Sequence, residues 1–196
     1  MNPPSHPREI LSVEWNMRSL IYLERLFNRF GDLLGWLASV LFLILLANVT
    51  YDVVMRYVFN DVSIAFQELE WHLFSAVFLL GVPYAIKASG HVRVDIIYER
   101  LSHRVQAVVD IIGTLVFLFP FCLLVAWYGI DFAKESYALG ETSGDPGGLP
   151  YRWIIKAMIP VSFICMFISG IGLILHSINR IVHPHLTHHH SNFGKQ

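Results

Sequence analysis

The run Leu33-Leu-Gly-Trp-Leu-Ala-Ser-Val-Leu-Phe-Leu-Ile-Leu-Leu-Ala-Asn-Val-Thr-Tyr51 holds 19 residues without a charge. An α-helix rises 1.5 Å per residue, so about 20 such residues cross the ~30 Å hydrocarbon core of a bilayer. Its apolar residues surround the helix rather than forming one stripe, as burial in lipid requires. Two further runs repeat the pattern: Ile111–Ile130 is uncharged over 20 residues and Ala157–Leu175 over 19. A fourth, Leu73–Ile86, is uncharged over only 14, and extending it back to Leu69 takes in Glu70 and His72. That stretch also reads as a buried helix of soluble type. Trp71 and Tyr84 near its ends suit an interfacial aromatic belt, and the charge distribution requires a crossing here. The expectation is an all-α membrane protein with four transmembrane helices, at about 33–54, 69–86, 107–130 and 154–176.

Composition agrees. The 196 residues are 55% hydrophobic and 15% charged, against roughly 25% charged in soluble domains, and mean hydropathy is +0.52. A net charge of −1 gives no reason to expect nucleic acid as a partner; the lipid bilayer is the expected one. Cys122 and Cys165 lie in separate apolar runs without CxxC spacing and read as small buried residues, not as a disulfide or zinc site. Pro83, Pro120 and Pro160 fall inside apolar runs, where neighbouring helices can satisfy the carbonyls that proline frees. Kinks are expected there.

Lys and Arg set orientation. Summed over alternate segments between the spans, they fall ten on one side and three on the other, with Lys156 at the mouth of span four. The positive-inside rule then places both termini and the central loop in the cytoplasm. Met1–Ser12 lacks the apolar core of a cleavable leader, so the first span is expected to direct insertion. Residues 1–17 form a polar tail and 181–196 a His-rich cytoplasmic tail, flanking a membrane domain over 18–180. Within 18–34, Leu20, Leu23, Phe27, Phe30 and Leu34 recur at helical spacing opposite Arg18, Arg25, Arg29 and Asp32. This is an amphipathic N-terminal helix, lying in the interface or extending span one. Glu141–Pro150 is turn chemistry throughout.

The membrane interior carries no ionisable side chain in the central turns. Pathways for ions and solutes usually place such groups, or broken helices, near mid-membrane. Ser39, Asn48, Ser75, Thr114, Ser162 and Ser169 instead read as helix-packing residues, with Gly81, Gly113, Gly170 and Gly172. The reading is a non-catalytic scaffold or accessory subunit without a cofactor. With no HExxH or Ser-His-Asp arrangement, an enzyme is not expected. The alternative is a b-type cytochrome-like membrane anchor of a respiratory enzyme. That needs two His at matching depth, and His72, His91, His103 and His176 do not offer a second one at the depth of His72.

Two rim motifs remain. Tyr51-Asp-Val-Val-Met-Arg-Tyr-Val-Phe-Asn60, followed by Gln67-Glu-Leu-Glu-Trp71, sets Arg56 close to Glu68 and Glu70. Gly90-His-Val-Arg-Val-Asp95 offers His91, Arg93 and Asp95 on one side of an extended piece. In this order, with Gly81, Glu141, Ser143, Gly148-Leu149-Pro150, Lys156 and Pro160, the motifs resemble the small membrane subunit of tripartite ATP-independent periplasmic (TRAP) transporters, the DctQ-like family. The resemblance runs from about Gly31 to Ile178. It implies a bacterial inner-membrane protein with two partners, a large membrane subunit and a periplasmic substrate-binding protein, in sodium-coupled uptake of an organic acid. The large subunit carries substrate and sodium, and the small one braces it and helps dock the binding protein. It also makes Glu68 the expected partner of Arg56. Glu135, Glu141 and Asp145 in the acidic outer loop are the candidates for steering the binding protein.

Overall fold

The computed structural model describes residues 7–88, 98 and 101–182, with side chains from Tyr22 onward except that of His103. Helix α1 spans Pro7–Val58 and α2 Ile64–Lys87. Helix α3 consists of His103–Gly113 and Phe119–Ala138, joined by a π turn at Thr114–Leu118. Helix α4 spans Trp153–Val182. No strand occurs among the described residues, and four helices are long and apolar enough to cross a membrane. Phe74, Phe78, Phe117 and Trp127 are each more than 60% exposed, an outside that suits lipid and that water would not tolerate at this extent. The candidates His91, Arg93 and Asp95 lie outside the described residues.

No separate interfacial helix precedes span one. Residues 18–34 are instead continuous with α1, whose 52 residues extend about 78 Å at 1.5 Å each. The chain contains no proline between Pro7 and Pro83 and so no strong breaker within α1. Gly31 continues the helix by packing against the aliphatic stem of Lys87. The apolar side of this stretch also has protein neighbours. Phe30 packs on the Leu34, Ala38 and Leu80 cluster, and Phe27 lies over Gly172.

Helix α4 touches all three others because its facing side is small. Ser162, Ser169, Gly170, Gly172 and Ser177 are all buried there, so backbones approach closely, as in other membrane helix pairs. A Cβ on Gly170 would lie 2.7 Å from the Phe119 ring. The second core cluster, Ile86, Cys122 and Met166, joins α2, α3 and α4.

The prolines explain two local features. Pro120 lies two residues after the end of the π turn, where the missing N–H and the ring's demand on the preceding turn are absorbed by wider backbone bonding. Pro83 cannot donate to the carbonyl of Leu79 four residues back. That carbonyl is taken by the Ser162 hydroxyl of α4, an interhelical bond with a backbone cause. Ser162→Ala should therefore cost about 1 kcal/mol. In a Pro83→Ala background the helix supplies its own donor, and the same change should cost clearly less. Thermal unfolding of the four variants in detergent measures the difference.

Candidate functional site

At one end of the bundle the α1–α2 loop and the loop between α3 and α4 meet. Both have turn backbones that their residues allow. Asn60 has φ +53°, in the left-handed region that Asn tolerates better than most residues, and Phe59 and Asp61 both donate to the Met55 carbonyl. Arg56 sits in the last turn of α1, where a cation suits the exposed carbonyls. Its partner is not Glu68. The guanidinium reaches back one turn to Asp52, a buried carboxylate at 3% exposure. An i,i+4 pair on one helix requires no alignment of separate elements. Asn48, below it, donates to the Phe66 carbonyl at 3.0 Å and ties α1 to the start of α2.

Glu68 faces the other way. It is 6% exposed and accepts hydrogen bonds from the Ser143 hydroxyl at 2.5 Å and the Leu149 amide at 2.6 Å. The Arg152 guanidinium stands 4.0 Å away. Both donors and the cation come from the α3–α4 loop or its junction with α4. A carboxylate withdrawn from water needs such donors, so the loop folds around Glu68 and is fastened to α2. The His72 ring donates from Nδ1 to the Glu68 carbonyl at 2.6 Å and stacks beside Trp71, holding this turn of α2.

The loop's own bonds shape the clasp. Ser143 donates its amide to the Leu149 carbonyl at 3.1 Å, and Gly148 donates to Asp145 at 3.0 Å. The Ser143 hydroxyl also accepts from the Asp145 amide at 3.1 Å. Gly147 has φ +84°, in the glycine region. Gly148 is required for space: a Cβ there would lie 2.3 Å from Ser143 Oγ and 2.8 Å from Glu68 Oε2. Tyr151 is held at φ +63°, uncommon for a bulky residue, between Pro150 and Arg152, whose amide donates to the Glu141 carbonyl at 3.1 Å.

Of the three docking candidates, Glu135 and Asp145 are exposed and Glu141 is turned inward. The Glu141 carboxylate accepts from the Lys156 ammonium, and this hydrogen bond holds its carboxyl below the usual value of 4.5. Its contribution is therefore fully present above 4.5 and is lost as pH falls through the lower folded-state value. Glu70 is half-buried on α2. The opposite end has polar staples that the sequence reading did not single out. Glu24 of α1 accepts from Asn179 and lies 2.8 Å from His176 on α4. Lys87 of α2 pairs with Asp32 of α1. Gln106 donates to the Tyr98 and Leu101 carbonyls and accepts from Arg180. Among the described residues no group of three or more His, Cys, Asp or Glu is arranged to hold a metal. His72 and His176, at opposite ends of the bundle, cannot bracket one haem.

The pattern defining the family "Tripartite ATP-independent periplasmic transporters, DctQ component" matches residues 45–180, a stretch that includes α2, α3 and the whole clasp. The chain belongs to that family. Its relatives include the C4-dicarboxylate TRAP transporter small permease protein DctQ of Pseudomonas aeruginosa, 32% identical over 110 residues, which are 52% of this chain and 51% of that one. A putative TRAP transporter small permease protein of Haemophilus influenzae is 30% identical over 113 residues, 58% of this chain and 70% of that protein. The isethionate TRAP transporter permease protein DctMQ of Oleidesulfovibrio alaskensis is 37% identical over 98 residues, 50% of this chain and 15% of its own length. The chain thus spans about half of the first relative, and its counterpart in the DctMQ protein is a minor part of a longer polypeptide.

The clasp predicts which side chains couple. Glu68→Ala and Ser143→Ala should each lower the unfolding temperature, and the double variant should be scarcely less stable than Glu68→Ala alone. Glu68→Ala with Arg56→Ala should be additive, because the two residues have different partners. Thermal unfolding of the single and double variants in detergent checks both cycles.

Proposed function

We propose that this TRAP small permease subunit braces a large membrane subunit in the bacterial inner membrane and presents the clasp to a periplasmic binding protein. The complex takes up an organic acid with sodium. The observation that carries this reading is the placement of charge. Residues 33–51, 73–86, 111–130 and 157–175 contain no Asp, Glu, Lys, Arg or His, and Ser162 there serves packing by donating to the Leu79 carbonyl. This placement supports a division of labour in which the substrate and sodium sites belong to a partner. The DctMQ relative, in which this part is joined to a much longer polypeptide, supports a partner of the same kind. The relatives' names mention different organic acids, which supports the class of solute and leaves its selection to other subunits.

The positive-inside distribution supports a clasp on the periplasmic side, with both termini in the cytoplasm. Exposed Glu135 and Asp145 then remain as charges that steer a binding protein, acting chiefly on association rate. Glu141 contributes by holding Lys156 and the loop's shape.

Two measurements test the proposal. A reporter active only in the cytoplasm should work when fused after residue 98 and be silent at Gly144; activity at Gly144 contradicts the orientation. The chain alone in liposomes should show no sodium-driven uptake, and uptake should appear when the co-purifying large subunit is added. Accumulation by the isolated chain contradicts the bracing role.

A further inference from the structure

Between α2, α3 and α4, on the clasp side, lies a cleft of about 520 Å³, within the range of small-molecule sites. Its walls are apolar: Phe74 and Phe78 from α2, Ile155 and Ile159 from α4. Its mouth is charged, with Arg152, Lys156 and Glu141. We infer that this cleft binds one phospholipid of the clasp-side leaflet, with the phosphate at Arg152 and Lys156 and an acyl chain along the apolar walls.

Three observations carry the inference. The first is depth. The lining runs from Trp71 to Leu79 on α2 and from Arg152 to Ile159 on α4, about 12 and 10 Å of helix. One leaflet contributes about half of the ~30 Å core, so the cleft reaches most of the way from headgroups to mid-plane.

The second is the arrangement of the cations. Arg152 lies 5.7 Å from the centre of the Trp71 ring, and the Lys156 ammonium 4.2 Å from that of Phe132. Their side chains are 32% and 20% exposed, so both are held against the cleft instead of extending into water. Glu141 occupies one donor of an ammonium that has three, and Glu68 stands 4.0 Å from a guanidinium that has five. Donors therefore remain for a phosphate.

The third is scarcity. Among the described residues, the basic ones at this end are few: Arg56, Lys134, Arg152 and Lys156. Arg56 and Lys134 are matched within their own helices, by Asp52 and Asp131. The other two converge on this apolar cleft. A soluble anion would find no use for the apolar walls, and an apolar helix would leave the mouth without an anion. A phospholipid satisfies both ends. The inference does not depend on the partner proposed above.

The test is native mass spectrometry of the full chain, delipidated in detergent and titrated with dioleoyl-phosphatidylglycerol. One lipid should bind with clear preference over further ones. Ser75→Trp, which fills the cleft from α2, and Arg152→Gln with Lys156→Gln should each weaken that first lipid by at least about tenfold, ~1.4 kcal/mol. Arg25→Gln with Arg29→Gln, away from the cleft, should leave it unchanged, and millimolar inorganic phosphate should not displace it. Unaltered binding by Ser75→Trp, or displacement by free phosphate, overturns the site. In the complex with the large subunit, a benzophenone amino acid at Phe78 should label lipid; labelling of the large subunit's polypeptide there would assign the cleft to that partner instead.

Discussion

Glu68 carries a carboxylate at a depth where water supplies few of its hydrogen bonds; the chain supplies them from the Ser143 hydroxyl and the Leu149 amide, with the Arg152 charge 4.0 Å away. The fold of the α3–α4 loop follows from this constraint. The donors come from a loop 75 and 81 residues away in sequence, so meeting the carboxylate's demand also closes α3 and α4 onto α2. Gly148 is small because Glu68 and Ser143 take the space, and Tyr151 is bent into the left-handed region to bring Arg152 to the rim. Lys156 and Glu141 repeat the arrangement a turn further on. A loop that reads as flexible punctuation is thereby tied to the helices at several points.

The rest of the bundle obeys the solvent. Between helices in lipid no water-driven burial is available, so association rests on close backbone approach and on polar groups with no other partner. Helix α4 provides both through its serines and glycines. The bond from Ser162 to Leu79 shows the two linked, because Pro83, which has no N–H to donate, leaves free the acceptor that α4 satisfies. Staples at the far end, Glu24 with Asn179 and His176 and Lys87 with Asp32, close the other rim. The helices are thus joined by polar contacts at both ends of the bundle, as the proposed bracing role requires.

Much of this was legible in the residues. Uncharged runs of 19 or 20 residues leave little choice but a membrane helix, and Ser162, Ser169, Gly170 and Gly172 could be named as packing residues from type alone. The start of α1 was not legible as a continuous helix, since amphipathic spacing fits both a helix lying on a membrane and one packed against α4, and only the contact of Phe27 over Gly172 separates them. The pairing of Arg56 failed for a similar reason. The short loop to Glu68 drew the pairing there, although Asp52 lies one turn behind Arg56 on the same helix face and is nearer still. That i,i+4 spacing was the signal to weigh. Glu141 was read as a free surface charge because its partner Lys156 lies across a turn whose path no periodicity describes. Nothing in the spacing announced Glu24, Gln106 or Asn179, whose roles arise only once the helices are antiparallel.

The central claim is that a buried carboxylate on α2 holds the loop between α3 and α4. Amide hydrogen exchange across residues 141–152, on the protein in lipid nanodiscs, tests it most directly, because Leu149 donates its amide to Glu68 itself. Slow exchange at Leu149 in the native chain and fast exchange in Glu68→Ala, with α4 beyond residue 160 unchanged, is the predicted result. Equal exchange at Leu149 in the two proteins would contradict the account.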